Sequence, residues 1–147
     1  MMMNAKRPFI VARVQWREAE TPLAAIRKTV FVTEQKVPEA LEWDGLDPEC
    51  VHVLATAANG MPIGTGRLLP DGHIGRMAVL KDWRGRGVGG ALLAALIEAA
   101  REAGHAQAQL NAQVHALGFY ARYGFVAEGA VFDDAGIPHR AMTLTFS

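Results

Sequence analysis

The most regular pattern in the chain is helical. Val88, Ala91, Leu92, Ala95, Leu96 and Ala99 recur at i, i+3, i+4, i+7, i+8 and i+11, forming one broad apolar face. Glu98, Arg101 and Glu102 lie toward its end, and Gly104 is suited to cap it. Upstream, Phe9 to Trp16 alternates with β-rich residues and predicts a first strand. Thr21 then reads as an N-cap with Pro22 at the first helical position, and Leu23, Ile26, Val30 and Phe31 supply the apolar face of a helix over 22–32. Val51 to Ala57 and Ile63 to Leu69 predict two strands joined through Asn59-Gly60, a hairpin signal. A tight turn at Pro70-Asp71-Gly72 leads into a third, His73 to Leu80. After the long helix come a strand over Ala106–Asn111 and a short helix over Val114–Tyr123, ended by Gly124. The strands Phe125–Phe132 and Arg140–Phe146 follow, around the turn 133–138.

Strand, helix, three-strand meander, helix, strand, helix and two strands make a mixed α/β chain. One parallel crossover spans the long helix in an otherwise antiparallel sheet. At 147 residues, half hydrophobic and a fifth charged, this predicts one soluble domain over 1–147. The 15 basic and 15 acidic residues balance, so no net field argues for nucleic acid or an anionic membrane as partner. One cysteine, Cys50, allows no internal disulfide and suits a reducing compartment. No apolar run reaches transmembrane length and MMMNAKRPF has no signal-peptide core, so the expectation is a cytoplasmic protein.

Residues 34–49 hold six acidic side chains, Glu34, Glu39, Glu42, Asp44, Asp47 and Glu49, against Lys36. They read either as a solvated acidic loop or as the lining of a pocket for a cationic amine, with Trp43 or Phe31 as an apolar wall. Arg67 and Arg76 either reach a phosphate or acidic substrate or sit on exposed strand faces.

Candidate chemistry concentrates just before the long helix. Gly85, Gly87, Gly89 and Gly90 put nearly bare backbone where unpaired N–H groups and the positive end of the macrodipole favour a phosphate. Arg84 and Arg86 add two permanent cations. The stretch reads as a diphosphate cradle, or more plainly as a tight strand-to-helix turn. Gly85-Arg86-Gly87-Val88-Gly89-Gly90 formally matches a dinucleotide fingerprint, but the next strand lacks the acidic residue that holds a ribose, and a meander precedes it where a βαβ unit is needed. The histidines and Cys50 show no zinc spacing, and Asp133-Asp134 lacks calcium's ligand ladder, so no metal is expected.

Arg84-x-x-Gly87-x-Gly89 after an apolar strand resembles the hallmark of the GNAT superfamily of acyl-CoA-dependent N-acyltransferases. Phe119-Tyr120-x-x-x-Gly124-Phe125 resembles that family's closing signature. VFVTEQKVPEALEWDGLD, Leu110-Asn111-Ala112-Gln113 and Asp134-Ala135-Gly136-Ile137-Pro138-His139 are similar to its small ElaA-like branch, so the likeness spans nearly the whole chain. The resemblance implies a single-domain mixed α/β fold, mostly antiparallel and flanked by helices. It also implies acetyl-CoA as acyl donor and a small-molecule amine as acceptor, and it makes a homodimer reasonable. Arg84, Gly85, Arg86, Gly87, Val88, Gly89 and Gly90 would hold the diphosphate. Met77, Ala78 and Val79 would pair with the pantetheine amides, one N–H facing the thioester oxygen. Asn111 would bond the pantetheine arm, and Tyr123 would pack or touch the cofactor.

Tyr120 matches the general acid of many relatives, although its helical spacing also suits a core aromatic. Protonating a thiolate from tyrosine is uphill by about 2 kcal/mol at ordinary acidities, which local tuning could offset. The base is open among Glu34, Glu42, Asp44, His73 and His115. Direct attack in a ternary complex is the expected route, since Cys50 has no evident base partner. The alternatives are a non-catalytic acyl-CoA sensor and a dinucleotide-binding oxidoreductase.

Overall fold

The computed structural model describes residues 8–147; the N-terminal segment MMMNAKR, read above for a leader, lies outside them. The elements run β1 (Phe9–Val14), α1 (Trp16–Arg27), α2 (Glu39–Glu42), β2 (Val51–Ala57), β3 (Pro62–Leu68), β4 (Ile74–Val79), α3 (Val88–Glu102), β5 (Gln107–Gln113), α4 (Leu117–Ala121), β6 (Val126–Asp134) and β7 (Ile137–Thr145). β1 to β4 form an antiparallel sheet in chain order, and a second antiparallel sheet has the order β5-β7-β6. The expected mixed α/β architecture is present, with one refinement. The crossover through α3 does not build a continuous sheet: β4 and β5 touch in parallel only at the His73–Gln109 bridge, backed by Gln109 N–H donating to Gly72 O at 3.1 Å. Beyond that point the two strands diverge and leave their facing edges unpaired.

α3 seats on the first sheet through Val88, Leu92, Leu93, Leu96, Ala99 and Ala100. Leu93 and Ala100 join the predicted face because α3 also meets the second sheet, whose Ala108, Leu110, Ala112 and Met142 belong to the same core. A small residue is required beneath the helix: a Cβ on Gly66 would lie 2.8 Å from the Leu96 side chain. On the opposite face of the first sheet, α1 lays Ile26 against Ala78, with Val30, Phe31, Leu54 and Leu80 around them.

Several predicted boundaries move. Trp16 opens α1 instead of ending the first strand, and Thr21 caps nothing; α1 kinks at Ala19 (φ −126°), so Pro22 falls in the first turn of the segment beyond the kink, where its missing N–H is tolerated. The helix expected to reach residue 32 passes at Lys28–Glu34 into a π-helical turn. β5 extends two residues past Asn111, and the helix predicted over 114–123 splits into a 3-10 turn at Val114–Ala116 and α4. The turn predicted over 133–138 shrinks to Ala135-Gly136, both at positive φ, as a two-residue hairpin requires.

Candidate active site

α3 begins at Gly87, whose φ of 85° suits glycine, and no side chain caps it. Ala91 N–H donates to Gly87 O at 3.1 Å, so the N–H groups of Val88, Gly89 and Gly90 precede the first intrahelical bond and stay available. The cleft there is lined by Val79, Trp83, Arg84, Gly85, Gly87, Val88, Gly89, Gly90, Phe119, Arg122 and Tyr123. Tyr123 reaches over Gly90 so closely that a Cβ there would collide with its hydroxyl. Arg86 lies over the Trp83 ring, 4.8 Å from the centroid.

Arg84 departs from the expected free cation. Its Nη1 and Nη2 fork onto Glu34 at 2.6 and 3.0 Å, and its Nε donates to Val79 O at 3.0 Å. The same pairing holds the Glu34 carboxyl below its usual range. Arg84 thus ties the π-helical turn to the cradle, and Arg122 is a further cation at the cleft that sequence reasoning missed.

The free edge of β4 follows from its register. Leu80 N–H donates to Ile63 O at 2.9 Å, so Leu80 and, two residues back, Ala78 face β3. Val79 and Met77 therefore turn their N–H and C=O groups toward the gap, although Val79 O already accepts from Arg84. At Arg76 a bulge interrupts the pairing, with a positive φ of 50° that is costly for a residue carrying a Cβ.

Between the diverging strands lies a cavity of about 360 Å³. Its walls include Phe31, Gln35, Glu42, His73, Arg76, Met77, Asn111, Gln113, Tyr120, Asp134 and His139. Gln35 and Gln113 pair amide to amide across it (3.0 and 3.4 Å), joining the π-helical turn to the end of β5. Tyr120 packs edge-on against Phe119 and Phe125, and burial pushes its hydroxyl up to about 12. His73 Nδ1 lies 3.0 Å from Asp71, whose backbone bond to His73 and the nearby imidazole keep its carboxyl low. His139, missed as a site residue, is buried with Nδ1 2.7 Å from Ile137 O and its ring stacked on Phe132.

The acidic segment divides. Glu39 and Glu49 are exposed, as in a solvated loop, and Gln35, Val37, Leu41 and Glu42 line the cavity. Glu42 and Asp47 are buried in an ion-pair cluster that leaves them no charge for a cationic amine. Arg27, 1% exposed, donates to Glu42 at 2.8 Å and Asp47 at 2.7 Å, between the rings of Trp16 and Trp43. Arg67, also buried and not on an exposed strand face, binds Asp47 at 2.9 Å and pairs with Asp44. Arg76 lies against Glu42 and Asp44 at 3.2 and 3.5 Å. The Arg67 hydrogen bond holds Asp44 far below its usual range. Burial works against the Asp47 charge, but Arg27 and Arg67 prevail and hold that carboxyl low as well. Three arginines and three carboxylates thus neutralise one another. Trp43 stacks on Arg27 instead of walling a pocket, while Phe31 does line the cavity. Of the five candidate bases, Glu42 and His73 reach the cavity lining, whereas His115 is exposed outside it, bonded to Gln113 at 2.7 Å.

The family model described as an acetyltransferase (GNAT) domain matches residues 17–146. The uncharacterized N-acetyltransferase YjcF of Bacillus subtilis is 41% identical over 121 residues, 80% of this chain and 86% of that protein. Among solved structures, an acyl-CoA N-acyltransferase from Pseudomonas aeruginosa is 32% identical with a TM-score of 0.79, covering 93% of this chain and 98% of that one. Escherichia coli ElaA is 26% identical with a TM-score of 0.82, covering 92% and 99%. A glycine loop that follows an antiparallel meander is also the wrong setting for a doubly wound dinucleotide site. By fold, by sequence and by the uncapped helix behind its glycine loop, this chain belongs to the GNAT family of acetyltransferases.

Proposed function

We propose that this protein transfers the acetyl group of acetyl-CoA to a primary amine by direct attack in a ternary complex. The observation that carries the reading is an uncapped helix start beside the unpaired β4 edge, whose Val79 lines the cleft at the helix start and whose Met77 lines the cavity. Acetyl-CoA supplies an acyl group activated as a thioester. The N–H groups of Val88, Gly89 and Gly90, with Arg86 and Arg122 nearby, suit its diphosphate. The Met77 and Val79 edge and Asn111 suit its amide arm, and an N–H of that edge would steady negative charge developing on the acyl oxygen.

Elimination favours His73 as base. Glu34 and Asp44 are held as carboxylates by arginines, Glu42 is sealed between Arg27 and Arg76, and His115 lies outside the cavity. His73 lines the cavity, and its backbone N–H is anchored on Asp71. Its Nδ1, 3.0 Å from Asp71, is without the alignment of a hydrogen bond, so the imidazole is free to take the amine proton, directly or through one water. As the new C–N bond forms and the C–S bond breaks, Tyr120 donates a hydrogen bond to the departing sulfur. Cys50 does not line the cavity; its Sγ contacts Leu46 O and burial pushes the thiol up, which disfavours a covalent relay.

Calorimetric titration tests the reading. Acetyl-CoA is expected to bind with micromolar affinity, NAD not to bind, and Gly87→Glu to abolish the acetyl-CoA signal. Absence of acetyl-CoA binding overturns the proposal. Binding without acetyl transfer to any amine would make the protein an acyl-CoA sensor.

A further inference from the structure

Resting on the acyltransfer reading, we infer that the acceptor amine also carries an anionic group, a carboxylate or a phosphate, and that Arg76 recognises it. Arg76 sits in the cavity wall on the bulged strand β4, held in a backbone conformation that a side chain normally avoids. Its Nη2 is spent on the Leu41 and Glu42 carbonyls and on Asp44. The buried Nε lies 3.2 Å from Glu42 without the alignment of a hydrogen bond, and Nη1 has no hydrogen-bond partner among the described residues. A guanidinium with open donors in a cavity wall is a site for a planar or tetrahedral anion.

The charge inventory points the same way. A polyamine needs several open carboxylates, yet Glu42, Asp44 and Asp47 are all committed to Arg27, Arg67 and Arg76. Asp134, exposed at the end of β6, is the lining carboxylate that takes no part in an ion pair among the described residues. An arginine with unspent donors and a carboxylate outside any ion pair among the described residues, both lining one cavity, complement a zwitterion, so the acceptor class is an amine bearing an acid group.

Matched acceptors test this, with release of the coenzyme thiol as readout: lysine against cadaverine, phenylalanine against phenethylamine, and phosphoethanolamine against ethanolamine. The acidic member of a pair is expected to show at least a tenfold higher kcat/KM, and which pair responds separates carboxylate from phosphate. Arg76→Gln should raise KM for that acceptor about tenfold and leave KM for acetyl-CoA unchanged. Arg76→Lys should recover part of the preference and serves as the folding control. If no pair turns over, thermal unfolding with coenzyme A present replaces the readout: the acidic member must raise the midpoint in the wild type and not in Arg76→Gln. Preference for the non-acidic members, equal loss on both members in Arg76→Gln, or equal midpoint shifts overturns the inference. Acetyl-CoA binding, measured separately, decides the acyltransfer reading itself.

Discussion

Burial at Tyr120 changes what that residue can do. The sequence left room for local tuning to bring its pKa down toward a thiol's, but burial in the cavity wall moves it up to about 12. Against a thiol near 8.5, full proton transfer is then uphill by about 5 kcal/mol. A neutral hydroxyl that keeps its proton and donates a hydrogen bond to sulfur is the role this environment supports. Tyr120→Phe is accordingly expected to lower kcat about a hundredfold while leaving KM for acetyl-CoA close to its wild-type value, as steady-state kinetics would register. Tyr120 was legible because its helical motif is local. The contrast with His139 is instructive: its place in the cavity comes from a hairpin folding back, and spacing along the chain carries no trace of that.

Among the elements, α3 and its glycine loop were readable to within a residue, since a 3.6-residue period and a positive-φ glycine are local statements. α1 was not. Its kink at Ala19 and the π-helical turn at Lys28–Glu34 arise where the chain bends to bring Arg27 and Glu34 onto the sheet, a tertiary demand that overrides capping rules. The seat beneath α3 gives a sharp test. Gly66→Ala places a methyl group 2.8 Å from Leu96 and 3.2 Å from Met77, and overpacking of this kind is expected to destabilise by about 1 to 3 kcal/mol in urea unfolding. Gly75→Ala, where a Cβ meets nothing within 4 Å, provides the matched control.

For the whole molecule, the acidic segment was the least legible part. Its composition reads as surface, and only the fold reveals that β3 and β4 send Arg67 and Arg76 up to meet it while α1 sends Arg27. The balance of those charges was visible in the composition; their pairing was not. Asp44, Asp47 and Glu34 have pKa values lowered by folding, so they favour the fold fully above the ordinary carboxylate range, and that contribution is lost as pH falls from about 4 down through their lowered values. Urea midpoints should therefore drop steeply on acidification. Asp47→Asn, which leaves Arg27 and Arg67 short of a buried counter-charge, should destabilise by about 3 to 5 kcal/mol at neutral pH and flatten the acid limb. The Arg84–Glu34 fork has a consequence of another kind. With Arg84 already neutralised, long-range attraction of anions to the cradle falls to Arg86 and Arg122 alone. Under the proposed reading, the backbone N–H groups of fixed direction add discrimination by shape at close quarters, and that share of recognition should survive the crowded salts of a living cell better than a bare cationic patch would.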